Sequence, residues 1–182
     1  MKEKLLDLLA CTTCGGDILL AYASKYDDRE IIEGVLTCKK CDREYKIIRG
    51  VPRFADLGKI EEDKAATAEN FGWQWTNFTQ EDPKYNEQFL GWLQPVNKDF
   101  FEGKVILEGG CGKGRHTKLA AEWGAKEVVG IDLGDGVESA FALTRNMPNA
   151  HIVQCDIFKL PLKKAFDYAF SVGVLHHTPD PK

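Results

Sequence analysis

Four of the six cysteines crowd into the first quarter of the chain as two C-x-x-C pairs, Cys11/Cys14 and Cys38/Cys41. Two residues between cysteines let both sulfurs turn toward one ion, and two such pairs supply the four thiolates of a tetrahedral zinc site. The stretch from Cys14 to Cys38 is slightly longer than the usual zinc spacing and suits a hairpin, with Gly34 near its return strand. Gly15-Gly16 follow the first pair, where a tight turn calls for positive φ. Lys39, Lys40 and Arg43 lie near enough to offset the negative charge of four thiolates around a dication. So small a region has little core, so metal binding supplies much of its folding energy. Four thiolates leave no open position, which makes the zinc structural. The alternative is a pair of redox or disulfide couples, but a redox C-x-x-C normally comes singly, beside a βαβ unit.

The other properties set the class. Of 182 residues, 43% are hydrophobic and 29% charged, with a net charge of −4, the balance of a soluble globular protein. Nowhere do about 18 apolar residues run together, which excludes a transmembrane helix, and Leu5-Leu6-Asp7-Leu8-Leu9 is too short and too acidic for a secretory signal. The expectation is a cytoplasmic protein with no membrane partner. Three segments are expected: a module over 1–54, a helical connector and cap over 55–99, in which Glu61 to Ala66 is charged and helix-prone, and a third unit over 100–182.

That third unit alternates. Val105-Ile106-Leu107 closes on glycines and reads as a buried strand; Lys118 to Trp123 reads as a helix stopped at Gly124. Glu127 to Ile131, His151 to Cys155 and Phe166 to Val172 read as strands, Val137 to Arg145 as a helix, and Phe89 to Leu93 as part of a helix that Pro95 ends. Strand and helix at this spacing predict βαβ units and a parallel sheet.

Glu108-Gly109-Gly110-Cys111-Gly112-Lys113-Gly114 sits between the first of these strands and its helix. Glycines let the backbone turn sharply and approach a ligand. The spacing is G-x-G-x-G, whereas dinucleotide dehydrogenases use G-x-G-x-x-G. Glu108 would repel a pyrophosphate and attract a ligand carrying an ammonium and a sulfonium. Asp132 ends the second strand, where a carboxylate accepts from ribose hydroxyls, and Asp156 follows the third, where an acid can accept from an adenine amino group, with Ile157 against the ring. Taken alone, Asp132 also fits a helix N-cap. Cys111 and Cys155 read as packing residues. His176 and His177 fit either a general base or a pocket cover, and Phe71, Trp73, Trp75 and Phe78 either an acceptor wall or a core.

Two resemblances follow. Leu8 to Gly16, Cys38-Lys39-Lys40-Cys41, Tyr45 and Gly50-Val51-Pro52 resemble the small zinc-ribbon proteins that activate tRNA, rRNA and protein methyltransferases, apart from Thr12 and Lys46, where that family often has proline. Val105 to Gly114, Gly130-Ile131-Asp132, Gln154 to Ile157 and Ser171 to Pro181 resemble, in order, the motifs of class I S-adenosylmethionine (SAM)-dependent methyltransferases of the type 11 group. The implied fold is α/β, a Rossmann-like parallel sheet behind a β-rich zinc ribbon. The implied cofactor contacts are Glu108, Gly109, Gly110, Cys111, Gly112, Gly114, Asp132, Leu133, Asp156, Ile157, Val172 and Gly173; the implied metal ligands are Cys11, Cys14, Cys38 and Cys41. Leu133-Gly134 departs from the family's small hydroxyl residue after the ribose acid.

That family has seven strands in the order 3-2-1-4-5-7-6. Four are read here, so the chain is expected to be the cofactor half of a longer protein, with a fourth strand whose open edge invites self-association. No catalytic residue is assigned, and the acceptor is a small molecule, RNA or protein. Two other functions fit less well: an NAD(P)-dependent oxidoreductase, opposed by the loop spacing and Glu108, and a non-catalytic zinc module binding RNA or protein. Locally the latter draws on Lys39, Lys40, Arg43, Lys46, Arg49 and Arg53, which also fit a solvated face compensating the thiolates.

Overall fold

The computed structural model describes residues 1–55 and 84–178. The charged connector at Glu61 to Ala66 and the aromatic residues Phe71, Trp73, Trp75 and Phe78 lie outside the described residues.

The predicted alternation forms. Strands β5 (Val105–Gly109), β6 (Glu127–Asp132), β7 (Ala150–Gln154) and β8 (Tyr168–Phe170) are parallel, and α2 (Arg115–Glu122) and α3 (Gly136–Thr144) connect the first three. β6 and β7 are buried along almost their whole length, which is why they read as unbroken apolar runs. The helix α2 starts three residues earlier than its apolar pattern suggests. Its first turn buries His116 and Thr117, polar residues that hide the helical period. β8 is shorter than expected because the backbone bends after Phe170, with Gly173 at φ 72°. Before β5, helix α1 (Lys84–Leu93) buries Phe89 and Leu93.

The first residues build β1 (Ile18–Asp27), β2 (Glu30–Cys38), β3 (Glu44–Ile48) and β4 (Val51–Arg53), an antiparallel meander. β1 and β2 form the expected hairpin. Gly34, on β2, lies beside the irregular pairing of β1, where a Cβ would sit 2.7 Å from the Tyr22 carbonyl. What the sequence reading did not anticipate is that these strands share one sheet with the parallel ones, in the order β1-β2-β3-β4-β7-β6-β5-β8. Arg53 of β4 pairs in parallel with Gln154 of β7, and the Phe54 amide donates to the Gln154 carbonyl at 2.8 Å. The turn before β4 fixes this joint. Gly50 has φ 82° and packs so closely on Phe141 of α3 that a Cβ would fall 2.3 Å from the ring. Arg49 and Arg53 both reach Glu138 of α3, at 2.6 and 3.1 Å.

The two parts also share a core, in which Leu5, Leu9, Ile31, Leu36 and Ile47 pack with Val129, Ile131 and Val153. Each such side chain stabilises the fold by roughly 1.5–3 kcal/mol on burial. A polar seam runs beside it. Lys2 bonds Glu30 at 2.6 Å and the Ala150 carbonyl at 3.1 Å, while Lys4 and His151 both meet Glu127, His151 Nε2 at 2.8 Å. Burial pushes the His151 pKa below 6.5 despite Glu127. Its Nδ1 is buried without a partner, so a proton there would have no acceptor. The neutral ring therefore donates from Nε2, and Lys4 supplies the charge that, with this bond, outweighs burial and lowers the Glu127 pKa.

A histidine whose folded pKa is depressed leaves the unfolded chain binding more protons, so its contribution is complete above pH 6.5 and is lost as pH falls below it. The urea midpoint is expected to drop between about pH 7.5 and about pH 5.5, and to drop less in His151→Gln. Equal pH dependence in both proteins would contradict this assignment. Among the described residues no helix is long and apolar enough to cross a membrane.

Candidate cofactor cavity and metal centre

The four predicted metal ligands come together. Cys11 and Cys14 flank a turn before β1, and Cys38 and Cys41 flank a turn after β2; their sulfurs all lie within 4.8 Å of one another. Individual separations are 3.4 Å for Cys14–Cys38, 3.4 Å for Cys14–Cys41 and 3.7 Å for Cys11–Cys41. Tetrahedral zinc at about 2.3 Å from each sulfur needs roughly 3.8 Å between sulfurs, so the donor set fits that ion. Gly15 has φ 68°, and Gly16 lets β2 close in, since a Cβ there would meet Cys38 Sγ at 3.0 Å.

The charges favour a cation as well. Burial raises the Cys11 pKa, but the Tyr45 hydroxyl at 3.1 Å and the Thr13 and Cys14 amides outweigh it and bring it down to about 6. The Arg43 amide lowers the Cys41 pKa, yet the neighbouring sulfurs push it up to about 12. Four thiolates this close ionise together only around a bound cation. Lys39, Lys40 and Arg43, close to the ligands in sequence, are exposed.

The second site is a cavity of about 340 Å³ at the C-terminal tips of the parallel strands. It lies where β8 begins on the opposite side of β5 from β6 and β7, the place where open α/β sheets bind ligands. The glycine loop forms one wall through Gly110, Cys111 and Gly112; Asp132 and Leu133 follow β6, Asp156 and Ile157 follow β7, and Val172 and Gly173 follow β8. The Asp132 carboxylate does not cap a helix, because Asp135 holds the cap position of α3. It accepts from the Gly112 amide at 2.8 Å and the Gly134 amide at 2.9 Å, tying the loop to the tip of β6. Burial raises its pKa, opposed by those amides and that of Leu133. Asp156 accepts from the Phe158 amide at 2.9 Å.

Three predicted contacts do not line the cavity. Glu108 is 1% exposed and turns beneath the loop, where Thr117 Oγ1 donates to one oxygen at 2.5 Å and His116 Nδ1 meets the other at 3.1 Å. Gly109 packs under Ile157 and Gly114 against Ala140 of α3; both are glycines because a Cβ would fall 2.9 Å and 2.8 Å from those side chains. They shape the wall without facing the ligand space. Burial raises the Cys111 and Cys155 pKa values, consistent with packing thiols.

The sequence reading missed Lys113, Arg115, His116 and Trp92, which also line the cavity. Residues 113–116 directly follow the loop, so their place at the start of α2 was the available signal. Trp92, from α1, had none. The rings of His176 and His177 lie 3.9 Å apart, tilted at 44°, and His177 reaches the cavity.

Residues 107–182 match the family model described as a methyltransferase domain, and residues 2–50 match that of Trm112p-like protein. The chain is 38% identical over 89 residues to the tRNA U34 carboxymethyltransferase of Idiomarina loihiensis, covering 46% of this chain and 28% of that protein. It is 37% identical over 98 residues to the protein of the same name from Pseudoalteromonas translucida, covering 52% and 29%. It therefore spans less than a third of the length of these relatives. The fold resembles the magnesium protoporphyrin IX methyltransferase of Synechocystis PCC 6803 with bound SAM, with a TM-score of 0.52, 20% identity and 66% of each chain covered. Two stretches of the chain thus resemble known families, a Trm112p-like segment at residues 2–50 and a methyltransferase domain at residues 107–182.

Proposed function

We propose that residues 100–182 are the cofactor half of a SAM-dependent methyltransferase, that residues 1–54 are a module held by structural zinc on Cys11, Cys14, Cys38 and Cys41, and that residues 55–99 connect and cap. The observation that carries the reading is the placement of Asp132 and Asp156 at the tips of adjacent strands, opening on one cavity with the glycine loop. In this reading Asp132 holds the ribose hydroxyls and Asp156 the adenine amino group. Ile157 packs on the ring beside Leu133, and the backbone at Gly110, Val172 and Gly173 meets the methionine part. The G-x-G-x-G spacing of the loop, with acids on two neighbouring strand tips, suits an adenosine sulfonium better than a dinucleotide, whose loop is G-x-G-x-x-G.

SAM supplies a methyl group made electrophilic by its sulfonium. Held by Asp132, Asp156 and the glycine loop, it would pass that methyl to an acceptor and remain as S-adenosylhomocysteine. The residues of the cavity align the two reactants and exclude solvent.

The acceptor we propose is tRNA, in a cytoplasmic setting. Two observations support it: both named relatives carry tRNA in their names, and Lys39, Lys40, Arg43 and Lys46 remain exposed while Arg49 and Arg53 are occupied by Glu138. Self-association would use the outer edge of β8, which has no neighbouring strand among the described residues.

Labelled SAM offered with the complete gene product to pools of tRNA, protein and small molecules is expected to label tRNA. Label confined to another pool would overturn the acceptor. Failure to bind SAM or S-adenosylhomocysteine would overturn the whole reading.

A further inference from the structure

We infer that His116, not Glu108, meets the amino-acid end of the cofactor, and that Glu108 serves to orient the imidazole. The inference rests on the SAM reading above and deepens it.

Glu108 is the acid of the glycine-loop motif, and its charge suits the ligand's ammonium, yet it is 1% exposed and absent from the cavity wall. Both its oxygens are engaged from α2, by Thr117 Oγ1 and His116 Nδ1. His116 does line the cavity. With Nδ1 turned toward the carboxylate, Nε2 lies on the opposite edge of the ring. The ring is also fixed in plane: it stacks on Phe89 at 4.3 Å and 17°, and Trp92 stands edge-on at 6.1 Å and 87°. A histidine bonded to a buried carboxylate through one nitrogen presents the other in a defined direction and tautomer.

Its place in the cavity matches the role. Asp132 and Asp156 mark the nucleoside end, at the tips of β6 and β7. Phe89, the stacking partner of His116, packs 5.2 Å from Phe170 of β8, so the imidazole lies on the β5–β8 side. A ligand with its ribose on Asp132 and its base toward Asp156 extends its amino-acid end that way. The Nδ1–H donates to Glu108, and Nε2 accepts from the ligand's ammonium. The carboxylate's charge acts on the ligand through the ring and not by direct contact.

The test compares binding of S-adenosylhomocysteine with that of 5′-methylthioadenosine, which lacks the amino-acid part, by calorimetry on the full chain. In His116→Asn the amide occupies the position of Nδ1 and keeps the bond to Glu108 but has no reach into the cavity. The preference for S-adenosylhomocysteine should fall about tenfold, the loss expected for one charge-assisted hydrogen bond, with methylthioadenosine affinity unchanged. In His116→Gln the amide reaches the position of Nε2 and should restore most of the preference. A preference in His116→Asn within about twofold of the parent, or an equal loss for both ligands in both variants, would overturn the inference while leaving the SAM reading intact. If the unsubstituted chain binds neither ligand, the SAM reading fails, and this inference fails with it.

Discussion

Cys38→Ser is expected to lose the bound metal and, with it, the order of the first 50 or so residues, the scale at which a domain lacks a sufficient core. Cys38 is 0% exposed, and its sulfur sits 3.4 Å from that of Cys14, so it joins the end of β2 to the turn before β1. Structural zinc contributes roughly 10–16 kcal/mol to folding in small zinc modules, as much as the net stability of an ordinary domain. The loss would spread beyond the metal. Leu5, Leu9, Ile31 and Ile47 share a core with Val129, Ile131 and Val153, and β4 covers the edge of β7. Unfolding the ribbon therefore exposes one face of the cofactor sheet. Metal content measured with a chromogenic chelator should fall, and the thermal midpoint should drop by more than about 10 °C, since about 1 kcal/mol shifts a domain of this size by a few degrees. A metal-free variant that melts with the parent would show that the sulfur cluster does not hold the fold.

The second large effect is on ligand binding. Asp132→Ala should weaken S-adenosylhomocysteine binding by at least about 100-fold. Two ribose hydroxyls would lose a charged acceptor, at roughly 1.5–3 kcal/mol each. The Gly112 and Gly134 amides would lose theirs too, releasing the glycine loop from the tip of β6. Asp156→Ala removes a single bond to the base and should cost about tenfold. Calorimetry on the folded variants separates the two. Parent-like affinity in Asp132→Ala would remove the acid from the site and with it the reading of the cavity.

Much of this was legible along the chain, because periodicity and covalent spacing act locally. Runs such as Val128-Val129 and Ile152-Val153 are apolar without alternation because they are covered on both faces. The glycines of the loop are required by local backbone: Gly110, Gly112 and Gly114 all have positive φ, at 76°, 52° and 81°. The C-x-x-C pairs impose metal geometry over two short turns. Helix starts were less legible. The first turn of α2 carries the buried His116 and Thr117, which Glu108 and Phe89 hold and which leave no apolar mark.

The sequence by itself determined the chemistry available: four sulfurs for one ion, a glycine turn between a strand and a helix, and acids at the ends of successive strands. Only the tertiary structure decided where those groups point and which parts become one. β4 continues the sheet through β7, a contact between residues about 100 positions apart that no local period encodes, since pairing at that distance is set by packing and not by spacing. Glu108 occupies the predicted strand end, yet its carboxylate turns inward because Thr117 and His116 satisfy it there more fully than an open cavity would.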